Sequence, residues 1–84
     1  MEELINAISN KKFVDELGRI FEFKIFPNST NLIINKQMIG PFHITHIDDE
    51  IALSFDGSKY ILVELNPEKI IFNQNGVVFE LIEY

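Results

Sequence analysis

Two histidines, His43 and His46, stand three residues apart, and an acidic run, Asp48-Asp49-Glu50, follows them directly. Imidazole and carboxylate groups ligate metals and relay protons, so this segment is where such chemistry would be sought first. The spacing argues against it. On a strand, an odd separation sends the two imidazoles to opposite faces. His46 and Asp48 share a face, yet one imidazole and one carboxylate fall short of a zinc set, and no third donor stands nearby. The acidic run lacks the D-x-D-x-D-G spacing and the glutamate at position twelve of an EF-hand loop, so it reads as a solvated turn.

The remaining nucleophiles are equally isolated. Ser9, Ser29, Ser54 and Ser58 sit in no G-x-S-x-G elbow, and the four glycines form neither G-x-G-x-x-G nor a P-loop. Cysteine is absent, which removes disulfides, thiolate metal sites and a thiol nucleophile together. No catalytic residue, metal or cofactor is expected, and the chain is not expected to be an enzyme.

What the residues do specify is a small, self-sufficient core. At 84 residues the chain is one domain and buries only roughly 60 to 65% of its unfolded surface. It compensates with 46% hydrophobic residues, including eight Phe, a composition incompatible with disorder. The longest apolar run, Tyr60 to Val63, is far too short for a transmembrane helix. The acidic start, Met1-Glu2-Glu3, is unlike a secretory signal, so a cytoplasmic location is expected and the Asn28-Ser29-Thr30 sequon reads as a plain polar loop.

The net charge of −6 lies wholly in residues 37–84, where two bases face eight acids; residues 1–36 balance five against five. Nucleic acid backbone and anionic membrane are held by Lys and Arg, so neither is expected as a direct partner. A protein with a basic surface is the natural complement, and that basic surface extends the reading to a nucleic-acid-binding protein. Abundant Ile, Asn, Phe and Lys with one Arg suggest an AT-rich genome, hence a low-GC bacterium or its phage.

The elements follow from periodicity. Leu4, Ile5 and Ile8 share one side of a short helix over Glu2–Ser9, with Glu2 and Glu3 in its first turn. The pattern loses phase near Asn10, since Phe13, Val14 and Leu17 would fall on the opposite side. A strand at Lys12–Asp15 is preferred there, with a broken helix to Leu17, capped by Gly18, as the alternative. Phe21, Phe23 and Ile25 alternate with Glu22 and Lys24 in a strand from Arg19 to Phe26. A loop at Pro27–Asn31, a short strand at Leu32–Asn35, a turn at Lys36–Pro41 and a strand at Phe42–Ile47 come next. Ile51, Leu53 and Phe55 then point inward, and three hairpins follow at Asp56-Gly57, Asn66-Pro67 and Asn75-Gly76.

The expected fold is α+β: a short N-terminal helix on a strongly bent, mostly antiparallel meander of about six to seven strands, barrel-like or sandwich-like. If Ile61, Val63 and Leu65 face the core with Val77, Phe79 and Leu81, the outward set is Tyr60, Leu62 and Glu64 with Val78, Glu80, Ile82 and Tyr84, joined by Ile71. That face is apolar between its acids. It is the expected protein-binding surface, with Tyr60, Leu62, Glu64, Glu80, Ile82 and Tyr84 as contact residues, unless the helix covers it. The corresponding function is a non-enzymatic interaction module, of the inhibitor or anti-defence kind. Two alternatives stand beside it: a subunit that forms a homodimer or larger assembly through an open edge at Val77–Tyr84, and a small-ligand carrier with a cavity inside the sheet.

Overall fold

The structure, a computed structural model, describes residues 2–84. Helix α1 (Glu2–Ile8) precedes nine strands: β1 (Lys12–Val14), β2 (Ile20–Phe26), β3 (Ser29–Ile34), β4 (Gln37–Gly40), β5 (Phe42–Ile47), β6 (Glu50–Phe55), β7 (Ser58–Leu65), β8 (Lys69–Gln74) and β9 (Val77–Glu83). They form one sheet in the order β4-β3-β2-β1-β9-β8-β7-β6-β5, and every pairing is antiparallel. A flat sheet would be about 10 Å thick with its side chains. The molecule measures 32 × 30 × 26 Å, so the sheet is curled into a nearly closed barrel.

The odd number of strands has a consequence. A nine-strand meander would bring β1 and β9 together parallel, yet they pair antiparallel. One connection must therefore fail to reverse the chain, and it is the one through Pro41. β4 and β5 run in the same direction as two halves of one strand, bent at Gly40-Pro41. The first half pairs with β3 and the second with β6. Proline cannot donate to a ladder, which suits the point where the strand changes partners.

Turn chemistry sets the rest. Asn35-Lys36, Asp56-Gly57 and Asn75-Gly76 all have positive φ at both central positions, the geometry that matches the right-handed twist of the flanking strands. The turn between β1 and β2 is organised by Asp15, whose Oδ1 accepts from the backbone N–H of Leu17 (3.0 Å) and of Arg19 (2.9 Å). Its Oδ2 accepts from Arg19 Nε at 2.7 Å. This satisfies a carboxylate that is otherwise buried.

At one end of the barrel the helix inserts Leu4 and Ile8 into the core, against Phe13, Phe23 and Ile70 among others. This is the helix end; the opposite, turn end carries the hairpin tips at Asn35-Lys36, Asp56-Gly57 and Asn75-Gly76. Phe21, Phe23, Phe42 and Phe72 are fully buried in between.

Several expectations are corrected. There are nine strands rather than six or seven; Gln37–Gly40, expected as turn, is one of them and pairs with β3, and β3 begins at Ser29 inside the expected loop. The preferred strand after the helix is present at residues 12–14, and the alternative of a helix continuing to Leu17 is not: the helix stops at Ile8, and Asn10 at φ 55° breaks it. The helix packs into the inward face of the sheet and leaves the outward one uncovered.

Candidate functional site

Among the described residues no group of three or more His, Asp, Glu or Cys side chains converges on a point. His43 and His46 are both exposed, on a strand whose alternation sends them to opposite faces.

Strand alternation places β1, β8 and β9 in register on the outside of the barrel. One row runs Glu64–Ile71–Glu80 across β7, β8 and β9. The next runs Lys69–Ile82–Val14–Ile20 across β8, β9, β1 and β2. Val78 lies beside Asn73 in a third row. Tyr84 extends the wall at the chain end, its backbone N–H donating to the Lys12 carbonyl at 2.9 Å. Val78 is 56% exposed, Ile82 45% and Tyr84 76%. An outer barrel wall is ordinarily polar, and this one is aliphatic through its middle.

Four of the six expected contact residues lie there: Glu64, Glu80, Ile82 and Tyr84. Tyr60 and Leu62 do not. Both pack against the core, and Tyr60 stacks on Phe55 with ring centroids 4.9 Å apart and lies 5.1 Å from Phe79. The cause is a bulge. The β7–β8 register shifts between Leu62 and Glu64, so Val63 is an extra residue, 62% exposed, and the parity on either side of it is reversed. Leu65 faces inward as expected; upstream of the bulge Ile61 goes out and Tyr60 and Leu62 go in.

The charge on the wall is also less one-sided than the sequence suggests. Lys69 Nζ lies 3.9 Å from Glu80 Oε2, and Lys24 Nζ lies 3.7 Å from Glu22 Oε1. Glu64 accepts a hydrogen bond from Asn66 Nδ2 at 3.0 Å. The acids without an ion-pair partner among the described residues gather mainly at the helix end: Glu3, Asp48, Asp49, Glu68 and Glu83, all exposed. Two exposed bases stand beside Glu83: Lys11, and Lys12, whose carbonyl accepts from the Tyr84 N–H. Another ion pair, Lys59 to Glu50 at 2.9 Å, spans the outside of β6 and covers Ala52, which is 1% exposed although its parity is outward.

The strand Val77–Glu83, expected as an open edge, lies inside the sheet order between β8 and β1. β1 is short, however, and covers only its last residues: Val14 pairs with Ile82 and Phe13 with Glu83. The chain then leaves through the Asp15–Arg19 turn, so Val77–Leu81 has a strand on one side alone.

The barrel interior is filled with side chains. At the turn end a cavity of about 280 Å³ is bounded by Phe21, Phe55, Tyr60 and Phe79 with Arg19 at its rim. The Arg19 guanidinium sits 5.4 Å from the centre of the Phe21 ring and 2.6 Å from Asp15 Oδ2, so its charge is already matched within the protein. The mouth thus offers aromatic faces, and beside them the exposed Asp56, which has no ion-pair partner among the described residues.

The fold and the wall define a helix-plugged, nearly closed antiparallel barrel with an aliphatic outer face. No family model, no curated protein and no solved structure matches the chain. No helix among the described residues is long and apolar enough to cross a membrane.

Proposed function

We propose that this protein is a non-enzymatic interaction module that binds another protein through the outer wall of β1, β8 and β9. The observation that carries the reading is the aliphatic patch of Ile71, Val78, Ile82, Val14 and Ile20, drawn from three adjacent rows of a solvent-facing sheet surface that the helix leaves bare. Burying an aliphatic surface of this kind is what drives association, and charge only steers it. Ile82 and Tyr84 are the central contacts in this reading, with Glu64 and Glu80 at the rim. The partner is a protein with a basic surface, because the unpaired acids at the helix end favour a positive approach. An inhibitor of a nucleic-acid-binding protein fits that chemistry.

The test is capture from the soluble extract of the cells that make the protein, comparing the native chain with Ile82→Asp. A partner held by the native chain and by Met38→Asp, on the outer side of β4, but lost with Ile82→Asp supports the wall. A partner retained equally by Ile82→Asp and by a Tyr84→Ser chain refutes it.

A further inference from the structure

We infer that β5 is a docking edge for an extended segment of a partner protein, one that alternates aliphatic and basic residues. The surface is distinct from the outer wall and rests on separate observations.

The two-residue turn at Asp48-Asp49 makes Ile47 and Glu50 a hydrogen-bonded pair, and antiparallel ladders alternate from there. Ile47, Thr45 and His43 therefore spend their backbone groups on β6. His46, Ile44 and Phe42 turn theirs the other way, toward the side where β5 has no neighbour in the sheet. The Phe42 carbonyl confirms the direction: it accepts from the Thr30 hydroxyl of β3. Beyond that contact no ladder joins β3 to β5, since β3 begins at Ser29, one residue before Thr30, and its later residues pair with β4. The N–H and C=O groups of Ile44 and His46 consequently form an unpaired edge. Nothing in Phe42–Ile47 protects it, for the strand holds no Lys, no Pro and no bulge.

Behind this edge is a cavity of about 210 Å³ lined by Ile5, Ile25, Thr30, Phe42, His43 and Ile44. It is mostly apolar and suits one apolar side chain of an added strand. At the end of the edge stand Asp48 and Asp49, both exposed and without ion-pair partners among the described residues. Main-chain pairing, a side-chain pocket and a charge at the end are the elements of recognition by strand addition. Charge decides the occupant. Two copies of this chain, each at −6, repel one another, whereas a foreign strand carrying Lys or Arg is attracted. The unpaired half of β9 is a weaker host, since the Asp15–Arg19 turn adjoins it and Phe21 and Phe79 close the interior behind it at 5.6 Å between ring centres.

The experiment is an NMR titration of the isotope-labelled protein with capped heptapeptides alternating Lys and Val. Shifts centred on the Ile44 and His46 amides, extending to Ile5 and Thr30, are expected. Replacing Lys by Glu in the peptide should weaken binding at least tenfold, and so should His46→Pro, which removes an edge donor without touching the β5–β6 ladder. Should that variant fail to fold, peptides N-methylated at alternate residues, in both registers, carry the same test from the ligand side; one register should lose binding. Shifts centred on Ile82 and Tyr84, equal binding of the Glu peptide, equal binding of both N-methylated registers, or no shift at millimolar peptide would each overturn the inference.

Discussion

Between β9 and β1 the two ends of the chain meet in a true ladder at the helix end of the barrel, whereas between β3 and β5 the sheet is parted at that same end. The first brings together the two ends of the chain and the second strands separated only by β4, and both are bridged by Phe23, whose ring lies 6.1 Å from Phe13 of β1 and 5.3 Å from Phe42 of β5. They differ in what occupies the backbone. At β1–β9 the Lys12 carbonyl and the Tyr84 N–H satisfy each other. At β3–β5 a single side chain, Thr30, makes the crossing. The lesson is that closure of this barrel rests on ring packing, and that backbone pairing is distributed unevenly around it. One junction is left as smooth aliphatic wall and the other as an edge.

Removing the shared ring should have the largest effect. Phe23→Ala empties a fully buried site common to both junctions, and a loss of about 3–5 kcal/mol is expected by urea denaturation followed by circular dichroism. For a domain whose total stability is of order 5–15 kcal/mol, the variant should be largely unfolded at modest denaturant. A loss under about 1 kcal/mol would mean that the junctions do not depend on the ring.

Proline separates the junctions more sharply. Ile82→Pro deletes a donor that β9 gives to Val14 and should cost about 2–3 kcal/mol, while His46→Pro deletes a donor that serves nothing and should cost under about 1 kcal/mol. Equal costs would erase the distinction between the two seams.

A further pair of changes concerns the turns. Lys36 holds φ 67°, a left-handed conformation that β-carbon-bearing residues adopt at a cost. Lys36→Gly should therefore stabilise the β3–β4 hairpin by about 1 kcal/mol, raising the melting midpoint by roughly 4–8 °C. The mirror change, Gly76→Ala at φ 86°, meets no neighbouring atom and should cost about 1–2 kcal/mol through backbone strain alone.

The same turn explains what the sequence conceals. Asp56-Gly57 and Asn75-Gly76 are readable as hairpins because glycine names the conformation; Asn35-Lys36 adopts it without the glycine, and so a whole strand, Gln37–Gly40, reads as loop. The bulge at Val63 carries no glycine or proline either. It reverses the faces of Tyr60 and Leu62, and only the long-range register of β7 on β8 reveals it. By contrast Glu80, Ile82 and Tyr84 are placed correctly by alternation with Phe79 and Leu81, since β9 has no bulge. The loss of helical phase at Asn10 was legible, because it depends on local spacing. The pairing of β1 with β9 was not, because nothing local distinguishes a strand that will be covered from one that will not. Val14 and Ile20, the wall residues contributed by β1 and β2, have the opposite parity to Phe13 and Phe21, which is the signal by which they can be found.

The difference between the seams is tested most directly by native-state amide hydrogen exchange, residue by residue. The Ile82 and Tyr84 amides should be protected by β1, and Thr45 and Ile47 by β6, while Ile44 and His46 exchange at nearly the rate of an unstructured chain. Protection of Ile44 and His46 equal to that of Thr45, or free exchange at Ile82, would contradict the account.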